Sequence, residues 1–352
     1  MKKYVNPVLF SLAIVTVCAA YSQNNKQIGL ERKASPSIQQ EVDRDEVIQA
    51  KRALAYAENL DPDHFDITII SSHLAHLYIG LGRYAEAEPL FKRALAITEK
   101  VSGPAHPGVA HILNDLAGLY KTLGRYKEAQ SLYERALSIW EKAPDSNDNL
   151  VATGLNNLAV VLGALGKHAE ADALFQRSLA IKVRRLDADH PSVAITLSNM
   201  AISFDHQGKY TDAAPLYERT LSITEKAFGS NHPSVALALN NLAEFYHKQG
   251  KDADVEALHK RALTIKENAL GPEHADVAAS LNNLAAFYAD QGKYAEAQNL
   301  YLRSLKILER AFGNNHPSTV VVMGNLALLY RKTGKENEAR EVEKNIPKSR
   351  QS

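Results

Sequence analysis

The chain has 352 residues, of which 45% are hydrophobic and 23% are charged, as in a soluble protein with a sizeable buried core. Lysine and arginine total 41 and aspartate and glutamate total 40, so the formal net charge is +1. This balance argues against a broad nucleic-acid-binding surface, which needs a basic stripe to displace the counterions of the phosphates.

The N-terminus has the layout of a secretory signal peptide. Two lysines at positions 2 and 3 precede an uncharged apolar run over 7–20, and small residues and then a polar stretch follow it. The apolar run is shorter than the roughly 20 residues of a membrane-spanning helix. We therefore predict a signal peptide over 1–22, cleaved after Ser22 or Ala20, and export to the periplasm or the cell exterior; an uncleaved anchor is the alternative.

Cys18 is the one cysteine of the chain. A lipid-anchoring cysteine would follow a small residue, whereas Val17 precedes Cys18, so membrane anchoring is the less favoured expectation. Cleavage at either site would remove this thiol, so the mature chain would form no disulfide and offer no thiol nucleophile.

The segments on either side of the central region differ from it in composition. Residues 23–42 are polar and predict a flexible linker. Residues 43–60 match the second half of the repeat described next and predict an N-terminal cap. We expect one repeat array over 43–345 and a disordered tail over 346–352.

Internal repetition with a period of 42 residues dominates the sequence. Every unit has an alanine 11 residues, and a glycine 18 residues, after its start, for example Ala201 and Gly208. Histidine occupies the start of six units, and Asp148 takes its place in the third. The units start at His64, His106, Asp148, His190, His232, His274 and His316.

Each unit predicts a hairpin of two helices. In the fourth unit, Val193, Leu197 and Phe204 fall at helical spacing, and Gly208 ends the helix in a left-handed cap. A second apolar stripe begins at Ala213. A hairpin cannot cover its own apolar face, so we predict an all-α fold of about fifteen helices, stacked in a right-handed superhelical solenoid.

Two segments carry a resemblance to a known family: HPSVALALNNLAEFY (232–246) and GKYAEAQNLYLRSLKILERAFGNNHP (292–317). The pattern resembles the tetratricopeptide repeat in the 42-residue form found in kinesin light chains and many bacterial proteins. It covers about residues 64–342 and implies protein-binding scaffolds rather than one particular activity. The coiled coil by which light chains bind their motor is absent, so motor function is not implied.

Nothing in the sequence predicts catalysis, a metal site or a cofactor. There is no Walker loop, HExxH, GxSxG or cysteine cluster. Histidines 42 residues apart lie on successive hairpins, too far apart to share one ion, so we expect each to shape the loop before a helix. A ladder of arginines 29 residues after the unit starts either binds partner carboxylates or pairs with nearby acids.

A concave inner surface is the usual binding face of such arrays, and in the resembled family the first helices line it. Asparagine stands eight residues after the start in four units, where its amide would pair with a partner's main chain; bonds among the asparagines are the alternative. Three basic residues on the same helical face would add a mildly basic character. The predicted groove residues are Asn114, Asn156, Asn240, Asn282, Lys121, His247 and Lys248.

These patterns predict a non-enzymatic scaffold or adaptor, monomeric by itself, that binds a protein or peptide in its groove. The alternative is a structural module that associates with itself in an envelope or extracellular assembly. The fifth unit departs from the repeat at Asp252, Val255 and His259, so its second helix is expected to be the weak point of the array.

Overall fold

The computed structural model describes residues 36–60, 64–143 and 147–346. Within these residues there are fifteen helices and no strand, so the predicted all-α fold is confirmed. The predicted signal peptide, most of the predicted linker and the tail from residue 347 lie outside them. The helices are α1 Pro36–Leu60, α2 Phe65–Gly80, α3 Tyr84–Ser102, α4 Pro107–Thr122, α5 Tyr126–Lys142, α6 Asp148–Ala164, α7 His168–Arg185, α8 Pro191–His206, α9 Tyr210–Phe228, α10 Pro233–Lys248, α11 Asp252–Leu270, α12 Ala275–Asp290, α13 Tyr294–Phe312, α14 Pro317–Lys332 and α15 Glu336–Lys344.

Helix α1 begins at Pro36, seven residues before the predicted boundary of the cap. Proline suits the first turn of a helix, and the following residues contain no glycine or further proline that would interrupt one. The last part of the segment predicted as a linker is therefore helical.

A histidine cap starts six of the seven first helices. The Nδ1 atom of each histidine accepts a hydrogen bond from the backbone N–H two residues later, as from Gly108 to His106 at 3.1 Å. This confirms that these histidines shape the loop before a helix. In the third unit Asn147 makes the same bond to the N–H of Asn149, so the cap lies one residue before Asp148, and Asp148 opens the helix instead.

Small residues lie where the two helices of a hairpin meet. Ala201 in α8 and Ala213 in α9 are fully buried, as expected for a close contact that only small side chains allow. The fifth unit accommodates its departures from the pattern: Val255 is fully buried, and His259 is 4% exposed and bonded through Nδ1 to Asn240. Side-chain packing therefore gives no support to the expectation of a weak helix there.

Ion pairs join the second helices of successive units. An arginine 29 residues after a unit start pairs with a glutamate in the second helix of the preceding unit, as in Arg177–Glu141 and Arg303–Glu267, both at 2.7 Å. This is the pairing with nearby acids that the sequence left as one of two possibilities. At the third junction Val183 replaces the glutamate, so Arg219 cannot make this pair.

The junction between the third and fourth units departs from the repeat at two further positions. Lys182, where the first and fourth units have threonine, is 4% exposed, whereas Lys266 at the same position in the fifth unit is half-buried. Asp187 has φ 142° at the position where Gly103 and Gly229 adopt φ 88° and 83°. Positive φ is strained for a residue with a Cβ. This junction therefore combines a missing ion pair, a buried lysine and a strained backbone position.

Candidate functional site

The first helices form the inner side of the solenoid. Helix α6 contacts α8, α10 contacts α12, and α12 contacts α14, so first helices of successive units approach one another directly. We define the inner face as the surface of these helices that points away from the second helices. It is the surface on which the predicted groove residues lie.

Asparagine side chains join the first helices laterally. The amide nine residues after a unit start donates to the residue eight after the preceding start, as from Asn199 to Asn156 at 3.1 Å. We call this set of bonds the amide ladder. Its other rungs are Asn157 to Asn114, Asn241 to Ser198, and Asn325 to Asn282.

The four predicted asparagines differ in burial. Asn156 and Asn240 are 4% and 5% exposed, whereas Asn114 and Asn282 are half-buried. Asn240 accepts a hydrogen bond from His259 at 2.9 Å and donates to the hydroxyl of Ser280 at 3.3 Å. Burial lowers the pKa of His259 to about 4, so this imidazole is neutral and donates from Nδ1. The amides therefore bond to one another and to neighbouring side chains, the alternative that the sequence left open.

The predicted basic residues fall into two separate places. Lys121 lies in the second unit, three units away from His247 and Lys248 in the fifth. His247 contacts Asp252 at 2.7 Å and Asp290 at 3.4 Å, and the hydrogen bond to Asp252 raises its pKa. These acids reduce the basic character that the sequence suggested for this part of the inner face.

Lys248 lies in a small cleft between α8, α9 and α10. Its ammonium group is 3.0 Å from the carboxylate of Asp205 and 3.2 Å from that of Glu244. Burial lowers the pKa of Lys248, but the two carboxylates outweigh it and the net pKa is raised. The cleft has a volume of about 100 Å³, and Tyr217 and Ile202 also line it. It is large enough for the end of one side chain.

A row of exposed side chains, which the sequence analysis missed, runs along the inner face. The residue five after each unit start is exposed in every unit. The amide-ladder residues point toward the first helices of neighbouring units, and the buried stripe points toward the second helices. The position five residues after the start therefore points away from both, into the space enclosed by the solenoid. Ile195, Leu237 and Val321 are 59%, 60% and 56% exposed. We call these three and Ile69 the aliphatic row; their spacing by multiples of 42 residues beside the buried stripe was a signal for it, although the second, third and sixth units have other residue types at this position.

Two absences concern the described residues only. Among residues 36–60, 64–143 and 147–346, no three histidine, cysteine, aspartate or glutamate residues are grouped so that they could hold a metal ion. None of the described helices is long and apolar enough to span a membrane.

The fold and its inner face define the class of the protein as an α-solenoid of tandem helical hairpins. The family model of the tetratricopeptide repeat matches residues 66–142, 150–226, 206–268, 234–286 and 276–344. The chain therefore belongs to the tetratricopeptide repeat family. Repeats of this family generally act as protein-interaction scaffolds and are typically non-enzymatic.

No curated protein matches the chain. Among solved structures it is similar to BtubC (BKLC) from P. vanneervenii, at 22% identity over 78% of this chain and 94% of that one, with a TM-score of 0.47. The kinesin-light-chain-type, nearly identical TPR-like repeats of Podosopora anserina are 28% identical over 58% and 97% of the two chains, with a TM-score of 0.47. Aspartyl phosphate phosphatase F from Bacillus subtilis, at 14% identity over 83% and 73%, has a TM-score of 0.56 and shares the fold.

Proposed function

We propose that this chain is an exported protein-interaction scaffold whose inner face binds a segment of a partner protein. The aliphatic row is the observation that carries the proposal. Exposed apolar side chains are ordinary when they are scattered, whereas a row on one face marks a contact surface. Ile195 and Leu237 lie on successive first helices, so one partner segment can cover both.

The aliphatic row indicates which kind of partner segment would fit the inner face. Burying an exposed aliphatic side chain stabilises a complex by about 1.5–3 kcal/mol. Neighbouring helix axes are about 8–10 Å apart, which is close to the seven-residue repeat of an α-helix at about 1.5 Å per residue. An amphipathic helix with aliphatic residues at heptad spacing therefore fits the row. The proposed contact surface also includes Lys248, which lies on the same helical face as Leu237, and His247 beside it.

The amide ladder takes a different part in this proposal from the one the sequence suggested. Because Asn156 and Asn240 are buried and bonded within the protein, they hold adjacent first helices in register beneath the partner. Asn114 and Asn282 are half-buried and remain proposed contacts for a partner's main chain. Lys121 is a proposed contact at the N-terminal end of the same face.

Site-specific photocrosslinking in cells that produce the protein tests the binding face. A photoreactive residue at Leu237, on the inner face, should give a crosslinked adduct with one heterologous protein. The same residue at Val101, which is 54% exposed on a second helix, is the matched control and should give little of that adduct. Equal adducts from both positions, or adducts only with a second copy of the chain, would refute the proposal and favour self-association.

Export is a separate part of the proposal and has its own test. It rests on the basic residues, apolar run and small residues of the N-terminus. Mass spectrometry of the protein recovered from outside the inner membrane should give a mature N-terminus after Ser22 or Ala20. An intact N-terminus on a protein that stays inside the cell would contradict export without affecting the binding proposal.

A further inference from the structure

The two ends of the solenoid contact each other. Helix α1 packs against α13, the second helix of the sixth unit, although five complete units separate them along the chain. In an open array each hairpin contacts only its neighbours. This contact therefore joins elements that the repeat pattern alone would leave apart.

A glycine marks a second contact between the ends. Gly82 ends the first helix of the first unit, and a Cβ placed on it would lie 2.7 Å from Cδ of Pro317 and 2.8 Å from Cδ2 of His316. The other six glycines at this position have no such neighbour within 4 Å. Gly82 is also half-buried, whereas those six are exposed. The turn between the two helices of the first unit is therefore covered by the start of the seventh unit.

We propose that the solenoid closes on itself in one turn, and that the contacts of α1 with α13 and of Gly82 with His316 and Pro317 act as a latch that opens. The contacts between α1 and α13 are fewer than those between the two helices of any hairpin. A small free-energy change is therefore enough to separate them.

The joint at which the ring flexes is the junction between the third and fourth units. This junction lies about midway along the chain between the two latched ends. It lacks the arginine–glutamate pair, because Val183 takes the place of the glutamate that would pair with Arg219, and it contains the buried Lys182 and the strained Asp187. The ion pairs Lys226–Asp189 and Lys209–Asp172 still cross this junction, but the missing pair and the strain at Asp187 make it the place where the two halves move as rigid bodies when the latch separates.

The latch controls access to the inner face. In the closed ring, a folded partner reaches the aliphatic row only through the openings of the ring, whereas in the open form it enters from the side. That consequence for partner binding rests on the proposed function; closure itself does not.

Replacement of Gly82 by asparagine tests closure. Asparagine tolerates positive φ better than other residues with a Cβ, so its main effect is the overlap with Pro317. Gly124→Asn is the matched control, because Gly124 has φ 72° against 69° for Gly82 and no neighbour within 4 Å. Small-angle scattering should give a larger radius of gyration for Gly82→Asn alone. Hydrogen exchange should become faster in α1 and α13 in the same variant, although neither helix contains the substitution.

Two results would overturn closure. One is an unchanged radius of gyration and exchange in Gly82→Asn, and the other is the same change in both variants, which would reflect the helix cap alone. If Gly82→Asn does not fold, scattering from the unaltered protein still decides: a profile that fits a closed single turn supports the latch, and one that fits an open superhelix refutes it.

Thiol accessibility tests the opening without any partner. Leu237→Cys is made in a chain whose one cysteine, Cys18, is replaced by serine. A small maleimide should react at equal rates with and without Gly82→Asn. A maleimide attached to a small folded protein should react several-fold faster when Gly82→Asn is present. Equal rates for the large reagent would show that the ring does not restrict access.

Discussion

Replacing Lys182 by threonine should stabilise the protein, because this lysine is buried without a carboxylate among its partners. Its Nζ donates to the carbonyl oxygen of Ser192 at 3.1 Å and to the hydroxyl of Thr196 at 2.9 Å. Burial lowers its pKa from 10.5 to about 8. At about 1.4 kcal/mol per unit of pKa, this lowering of the lysine pKa corresponds to about 3 kcal/mol of lost stability.

The repeat itself supplies the replacement. Thr98 and Thr224 occupy the same position in the first and fourth units, and their hydroxyls donate to the carbonyl oxygens of Ala94 and Thr220 at 2.8 and 2.7 Å. A threonine at 182 can make the same bond and remove the buried charge. Its smaller volume offsets part of the gain, so we expect a net stabilisation of about 1–2 kcal/mol near pH 7.

The gain should depend on pH in a defined direction. Below about pH 8 the lysine is charged in both the folded and unfolded states, and its full cost is present. Between about 8 and 10.5 the unfolded chain binds more protons than the folded one, so the unfolding free energy of the unaltered protein rises with pH. Lys182→Thr lacks this rise, and the difference between the two proteins should shrink as pH approaches 10.5.

Urea unfolding followed by far-ultraviolet circular dichroism at pH 7 and pH 10 measures both effects. Lys306→Thr, at an exposed helical position, controls for the lower helix propensity of threonine and should show no gain at either pH. No stabilisation at pH 7, or the same pH dependence in all three proteins, would refute the assigned cost of the buried lysine.

Three further predictions concern the same array. Asp187→Gly should raise the unfolding free energy by about 1 kcal/mol in denaturant titrations, since glycine adopts the positive φ found there without strain. Replacing Asn156 and Asn240 together by alanine should lower the thermal midpoint by several degrees, because their buried partners lose hydrogen bonds; an unchanged midpoint would mean that the amide ladder does not hold the helices. Hydrogen exchange should be faster over 182–196 than over the equivalent 224–238, and equal protection would count against a weak third junction.

Periodicity made the fold predictable from the sequence. Each unit has Gly208 or its equivalent at one helix end, and six of the seven have a histidine such as His190 before their first helix, so element number and order followed directly. The predicted helix start was wrong where a substitution moved the cap: in the third unit Asn147 caps the helix in place of Asp148. A side chain that can cap a helix stands at both positions, and the sequence does not say which one makes the bond.

The candidate site was less predictable, because its features depend on contacts between units. The position of Asn156 beside the buried stripe was evident, but whether its amide faced a partner or Asn199 depends on how closely first helices approach. Asp205 and Lys248 are 43 residues apart and meet only after stacking. The approach of Gly82 to Pro317 depends on the accumulated curvature of the array, which no single repeat encodes.

The central claim is that the inner face of this solenoid binds a partner through its aliphatic row. A binding isotherm with the heterologous protein captured at Leu237 tests it most directly. Leu237→Ser should weaken binding by about tenfold or more, because about 1.5–3 kcal/mol of apolar burial is lost, and Val101→Ser on a second helix should leave the affinity unchanged. Equal affinities for Leu237→Ser and the unaltered protein, or a loss confined to Val101→Ser, would contradict the account.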